Sequence, residues 1–385
     1  MRSVNIRLIK NTQDEGDKIM YEIMSTDEAI RLIRDGDCIC VNSFVGIENP
    51  TELHEAIYRR YQKMQSPTHL TIVSSAGFGV WDEEHNAERY IKEGAVDKLI
   101  CGHFGAMLST KKLVLEDRFE AYNLPLGCIS HAIRAQAGGL PGALSKVGLD
   151  IFGINRISID DSLVKHVEVD GDEFLYYKLP KITIALIKGT AADRKGNITF
   201  DDMFMSGDAL SICQAVKANR GKVIVQVDRL VDTPSRPRNA IIPGCLVDAI
   251  VVAEPEKRNE AYTALTGSFE IPYKEWHAWS ERIENVSTKP QKNNVTGNII
   301  GKRAAQELRV DDIVNIGIGI PEMVSRYARK CGMLDMVTLT VESGGIGGFP
   351  VSGEAFGAMI GAASVYDMAN QFDLYDNGGL DICFM

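Results

Sequence analysis

The chain has 385 residues, 45% hydrophobic and 24% charged, with a formal net charge of −10. That length exceeds one ordinary hydrophobic core and points to two globular domains. The acidic balance offers no basic footprint for nucleic acid or an acidic lipid surface, and no run approaches the ~18 apolar residues of a membrane span.

Residues Met1–Met20 mix Arg, Lys, Asp and Glu without an apolar segment, so they do not read as a secretory signal. Apolar runs at Cys38–Ser43, His69–Ser74 and Lys98–Cys101 predict strands. The i, i+3, i+4 spacing over Glu28–Arg34 and Thr51–Lys63 predicts helices. Further strands are expected at Leu163–Val169, Lys181–Lys188 and Lys222–Val227, with a turn signal at Gly196–Asn197 between the last two. Short apolar strands alternating with helices imply an α/β fold with a mainly parallel sheet covered on both faces. The eight cysteines are scattered, without CxxC or Cys/His ligand spacing. Cys38 and Cys40 alternate along a strand rather than form a metal site, and the expectation is a reduced, cytoplasmic chain with no metal.

The most informative pattern is internal. Asp37-Cys-Ile-Cys-Val-Asn42, a turn containing Gly46, Pro50 and a helix recur later as Asp312-Ile-Val-Asn315, Gly317, Gly319, Pro321 and a helix. Thr71–Gly79 can be laid over Leu339–Gly347 without a gap, and Ala95–Asp97 over Gly379–Asp381. The polar stretch Glu281–Asn298 lies between the copies. Two duplicated open-sheet domains are therefore expected, at about 1–285 and 298–385, with a linker at 286–297. The second copy stops soon after Asp381, so it is expected to be incomplete, its final strand Leu380–Met385 leaving sheet unpaired.

In the ungapped overlay Glu342 falls where the first copy has Ser74, and Ser343-Gly-Gly-Ile-Gly-Gly348 follows it. A carboxylate at the carboxyl end of such a strand sits where α/β sheets bind ligands, and can serve as base, metal ligand, nucleophile or cap. No His, Asp or Cys lies within ten residues after it to share a metal. The turns Asn42–Gly46, Ser75–Gly79 (with Gly77) and Asn315–Gly319 (with Gly317) are expected around it, with Gly344 beside it. His103 and His131 read as core or loop histidines, Asp97 and Asp248 as turn or capping residues, and Glu83-Glu84 as a solvated face. A dinucleotide fingerprint fails at its third glycine in each GxG: Glu322 after Gly317-Ile-Gly319, Pro350 after Gly345-Ile-Gly347, Asp82 after Gly77-Phe-Gly79. Nor is there a phosphate loop of the kind a sugar-phosphate isomerase would need.

Val314-Asn-Ile-Gly-Ile-Gly-Ile-Pro321 followed by Val341-Glu-Ser-Gly-Gly-Ile-Gly-Gly348 resembles the family I coenzyme A-transferases, in their single-chain acetate and propionate branch. Supporting landmarks are Tyr122-Asn-Leu-Pro125, Gly189-Thr190, Lys222–Arg229 and Pro243-Gly244. The resemblance implies ping-pong transfer of CoA between a short-chain acyl-CoA (acetyl, propionyl, butyryl or lactoyl) and a carboxylic acid, through a glutamyl-CoA thioester on Glu342. It also implies a homo-oligomer and no cofactor beyond CoA as substrate; by their position in the turns around Glu342, Asn42, Gly46, Ser75, Gly77, Gly79, Asn315, Gly317, Gly319 and Gly344 are the expected CoA or acyl contacts. The sequence departs from the family after Asn123-Leu-Pro, where a glutamine amide is expected to support the oxyanion and Leu126 stands instead. Leucine has no donor, and one lost oxyanion donor costs about 3 kcal/mol. The family chain is also expected to run on past Met385, through a second-half counterpart of Gln136–Gly142. An impaired homologue that binds CoA or a partner subunit is the alternative these departures leave open.

Overall fold

The computed structural model describes residues 21–79, 86–153, 162–255 and 295–385. Met1–Met20, Glu83-Glu84 and residues 286–294 of the expected linker lie outside them. Residues 295–297, also assigned to the linker, are the first of the helix Val295–Ala304.

The first half is built on one large sheet. Its parallel strands are β1 (Glu22–Ile23), β2 (Cys38–Val41), β3 (Leu70–Ser74), β4 (Val96–Cys101) and β5 (Glu120–Asn123). After a small antiparallel sheet of β6 (Ala143–Ser145), β7 (Val164–Val169) and β8 (Asp172–Tyr177) come β9 (Ile184–Asp193), β10 (Ile198–Thr199), β11 (Lys222–Val231), β12 (Ala240–Ile242) and β13 (Ala249–Val252). The spatial order is β1-β13-β11-β9-β2-β3-β4-β5, with β10 and β12 added antiparallel. Strand β9 runs on to Asp193, so Gly196–Asn197 turns it into β10 rather than leading straight to β11.

Strand alternation explains why this sheet is covered on both faces. Cys38, Cys40, Val73 and Ile100 point into one core beneath the helices Leu126–Ala137 and Ala209–Ala218. Ile39, Val41, Ile72 and Leu99 point the other way, against the helix Thr51–Met64. That helix follows Pro50, presents Leu53, Ala56, Ile57 and Tyr61 to the core, and ends at Gln65 in a left-handed conformation. Each fully buried Leu or Ile contributes ~1.5–3 kcal/mol, so Leu53→Ala should loosen this layer by about 2–5 kcal/mol.

In the second half, β14 (Ile313–Ile316), β15 (Thr338–Thr340) and β20 (Ile382–Phe384) are parallel, while β16 (Gly345–Ile346) and β19 (Ser364–Val365) extend the sheet antiparallel. Between those two, β17 (Phe349–Pro350) and β18 (Met359–Ile360) form a separate hairpin. A third core is shared between the halves: Phe44, Val45, Ile47, Phe204 and Met205 pack with Val314, Leu339, Val341 and Met368.

The duplication is visible in matched hydrogen bonds. Arg34 N–H donates to Asp37 Oδ2 at 2.7 Å and Arg309 N–H to Asp312 Oδ2 at 2.7 Å. Asp37 O then accepts from Thr71 N–H at 3.0 Å, and Asp312 O from Thr338 N–H at 2.8 Å. These pairs correct the ungapped overlay by one residue. Thr71 corresponds to Thr338, so Ser75, not Ser74, stands at the position of Glu342, and Gly77 matches Gly344; both glycines have positive φ. In the preceding strand, Cys40 stands where the second half has Asn315. The third match fails: β4 flanks β3, whereas β20 flanks β14 on the opposite side. Three-residue similarities around an Asp at a strand start cannot distinguish those two neighbours.

Candidate active site

Glu342 lies two residues beyond β15, at the carboxyl end of a parallel pair, and keeps partial solvent exposure at its residue surface. Protein atoms crowd its carboxyl, and this burial pushes its pKa above the ordinary carboxylate value; its own backbone N–H and the Asn315 side chain, which favour the anion, oppose that shift. Asn315 is 5% exposed and is the cross-strand partner of Thr340. Its Nδ2 donates to Tyr375 Oη at 3.3 Å, and its Oδ1 accepts from Cys383 Sγ at 3.5 Å. Tyr375 Oη donates to Thr340 Oγ1 at 2.8 Å, and Thr340 Oγ1 donates to Val314 O at 3.1 Å. Burial and the neighbouring Glu342 charge raise the Tyr375 hydroxyl and the Cys383 thiol above their usual values, keeping both protonated at neutral pH.

The turn after Glu342 is fixed by Gly344. Its φ is 117°, and a Cβ there would lie 1.8 Å from the carbonyl oxygen of Tyr366. Only glycine fits both demands. Gly344 N–H donates to Val341 O at 3.1 Å, and Tyr366 N–H donates to Gly344 O at 3.2 Å. Gly317 and Gly319 continue the chain beyond Asn315: Gly317 N–H meets Phe384 O at 2.9 Å, and Gly319 N–H meets Glu322 Oε1 at 3.0 Å in an exposed turn. Asn315, Glu342, Gly344 and this turn therefore share one end of the second sheet.

The first-half turns form a different cluster. Asn42 and Ser75 are 1% and 3% exposed. Ser75 Oγ donates to Asp208 Oδ2 and Ser130 Oγ to Asp208 Oδ1, each at 2.5 Å. Asn42 Oδ1 accepts from Asp208 N–H at 2.9 Å, and its Nδ2 donates to Ser206 O at 3.3 Å. Asp208 is buried, which raises its pKa against the pull of the two hydroxyls. Gly77 N–H bonds Ser74 Oγ, and Gly77 O accepts from Ser43 Oγ, each at 3.1 Å; Gly79 packs on Ala106. Gly46 lies in the tight turn Phe44–Ile47, whose Phe44 ring approaches Phe356 of the second half at 6.3 Å. Leu126 begins the helix Leu126–Ala137 beside Gly102, among the residues packed against the shared core.

The two clusters meet through the helices Leu126–Ala137 and Met368–Asp376. His131 Nε2 lies 3.0 Å from Asp373 Oδ1 and 3.1 Å from Ala369 O, and Arg134 pairs with Asp373 at 3.0 Å. Met368 N–H reaches Gly207 O at 3.4 Å, next to Asp208. His131 is thus an interface residue. Asp248 pairs with Lys217 and Lys222 at 2.8 and 3.0 Å, and Asp97 with exposed His69 at 2.9 Å. Burial pushes the Cys38 thiol up to about 12, as suits an inert strand residue. Asp208, Ser130 and Tyr375 were not singled out from sequence. The i, i+4 pair Gln371/Tyr375 on the last helix was the available signal, Gln371 being fully buried.

The family model for coenzyme A transferase matches residues 23–253. The acetate CoA-transferase YdiF of Escherichia coli (strain K12) is 35% identical over 377 residues, covering 94% of this chain and 68% of its own length. The chain belongs to the coenzyme A-transferase family. Caffeate CoA-transferase of Acetobacterium woodii is 33% identical over 95% of this chain and 70% of its own length. The structure of the E. coli O157:H7 enzyme YdiF as a thioester complex with CoA superposes with a TM-score of 0.80 at 31% identity, covering 94% of this chain and 68% of that one. The α/β architecture with its large parallel sheet is thus that of single-chain CoA-transferases, and the chain is an enzyme of that class. Among the described residues, no helix is long and apolar enough to cross a membrane, and no group of three or more His, Cys, Asp or Glu is placed to hold a metal ion.

Proposed function

We propose that the protein moves CoA from a short-chain acyl-CoA to a second carboxylic acid by a ping-pong route through Glu342. A Glu342 oxygen attacks the thioester carbonyl, the C–S bond breaks, and a mixed anhydride and CoA thiolate result. The thiolate attacks the Glu342 carbonyl carbon, releasing the donor acid and leaving a glutamyl-CoA thioester. The acceptor carboxylate then reverses both steps. The observation that carries this reading is the placement of Glu342: a carboxylate at the carboxyl end of a parallel strand, destabilised as an anion by burial and steadied by Asn315. Loss of bulk solvation makes a weak nucleophile more reactive, and binding of the remote CoA moiety supplies the remaining driving force. The crystallised thioester complex of YdiF supports the same intermediate here. Acetate or propionate as acceptor, assembly as a homo-oligomer and a division at 1–285 and 298–385 belong to this proposal too.

Leu126 favours the second reading, an impaired homologue, because a side chain without a donor occupies the start of that helix. Intact mass after incubation with acetyl-CoA or propionyl-CoA separates the two. A working transferase gains the mass of CoA less one water, removable by hydroxylamine and absent from Glu342→Gln. A folded protein that gains nothing is the impaired homologue.

A further inference from the structure

We propose that Tyr375 is a positioning residue for this transfer: its hydroxyl fixes which end of the Asn315 carboxamide faces Glu342. This rests on the reading of Glu342 as the nucleophile. A hydroxyl has a single proton, and the Tyr375 proton is committed to Thr340 Oγ1 at 2.8 Å. Thr340 has spent its own proton on Val314 O at 3.1 Å, so it can only accept from Tyr375. Tyr375 Oη is therefore left as an acceptor on the side of Asn315, and what it meets at 3.3 Å is Nδ2. On the other end of the amide, Oδ1 takes the Cys383 thiol at 3.5 Å. The second Nδ2 proton is free to face the Glu342 carboxylate.

The result is a run of hydrogen bonds that all donate away from Asn315: one way through Tyr375 and Thr340 to a backbone carbonyl of β14, the other way to the nucleophile. Asn315 and Thr340 are directly paired across β14 and β15, so Tyr375, from the helix Met368–Asp376, ties both strands together at Asn315 and at a point two residues before Glu342. If the carboxamide turned over, Oδ1 would face a carboxylate, lone pair against negative charge. The titratable groups facing Glu342 are Tyr375 from that helix and Cys383 from β20; both are held neutral, so neither competes with Asn315 for the anion.

Tyr375→Phe keeps the ring that packs edge-on against Phe372 at 5.4 Å and removes only the hydroxyl. The expected result on the full chain is a kcat lowered about tenfold, the worth of one hydrogen bond acting on a charged group, with KM for the acyl-CoA changed less than about twofold. The acid limb of kcat/KM should move to higher pH, because losing the Asn315 donor disfavours the carboxylate. Thr340→Val, nearly isosteric, frees the Tyr375 proton to point at Asn315 and should move the same limb in the same direction. It serves as the measurement if Tyr375→Phe lowers the melting temperature. In Asn315→Ala the added Tyr375→Phe should cost nothing further. Wild-type kcat with an unmoved acid limb in both hydroxyl variants, or full additivity with Asn315→Ala, overturns the inference. Retained CoA adduct in Glu342→Gln overturns the reading beneath it, and the two failures are read from different variants.

Discussion

The same strand-turn is built twice in this molecule, and it ends on different chemistry. In the first half the residue after the strand is Ser75, turned inward onto Asp208 together with Ser130. In the second half the matching residue is Glu342, and the neighbouring strand supplies Asn315 in place of buried Cys40. The positive-φ glycine two residues on, Gly77 or Gly344, is common to both. A duplicated backbone has thus been divided into a supporting turn whose polar groups satisfy one another and a turn whose carboxylate is left available.

The largest effect should come from filling the shared glycine. Gly344→Ala places Cβ 1.8 Å from a backbone oxygen at a φ of 117°, and the turn cannot yield as a side chain would. Loss of about 3 kcal/mol or more of stability is expected in chemical denaturation, with no CoA adduct. Gly77→Ala, 2.6 Å from His103 O, should destabilise less. If the order were reversed, the second turn would not be the tighter one.

Leu126→Gln tests whether the first half can contribute a donor. Supplying one should raise kcat by up to about a hundredfold, the usual worth of an oxyanion contact, with KM little changed. No gain, from a protein with an unchanged melting temperature, would place Leu126 outside the reach of the acyl oxygen.

The two buried carboxyls also divide by pH. Asp208 has a raised folded pKa, so the stability tied to its protonated form is complete below the unfolded value near 4 and is lost as pH rises through the folded one. Asp208→Asn, with an amide that suits one serine as donor and the other as acceptor, should flatten the dependence of denaturation midpoint on pH in that window. A dependence unchanged by the substitution would show that the pH response arises elsewhere. For Glu342 the raised pKa appears in rate instead: the acid limb of kcat/KM should lie above the ordinary glutamate range. The smallest effect is expected from Ser75→Ala, about 1 kcal/mol of stability with the adduct still formed.

Much of this was legible in the sequence, and the reasons for the rest are physical. The apolar runs around Cys38–Val41, Leu70–Ser74 and Val223–Val227 become parallel strands because their mostly apolar side chains are covered on both faces of the sheet. Glu342 stood out because a charged residue at a strand end followed by glycines is chemically conspicuous. The offset of one residue between the copies was invisible, since a glycine-rich turn matches itself equally well when slid by one. It took the paired bonds of Asp37 and Asp312, and the conformations of Gly77 and Gly344, to set it. Asn42 and Ser75 sit at strand ends like site residues, yet their partner Asp208 is distant in sequence. Tyr375 was hidden for the same reason: its role depends on a helix packing back over two strands.

If Glu342 becomes part of the reacting molecule, isotopic oxygen from the acceptor must pass into it. When the acceptor carboxylate attacks the glutamyl-CoA thioester, the bridging oxygen of the resulting anhydride stays on Glu342 as CoA leaves for the acyl carbon. After turnover with 18O-labelled acetate as acceptor, the peptide containing Glu342 should carry the label and every other acidic peptide should not. Turnover that leaves that peptide unlabelled would rule out Glu342 as the nucleophile and point to direct transfer between the two substrates.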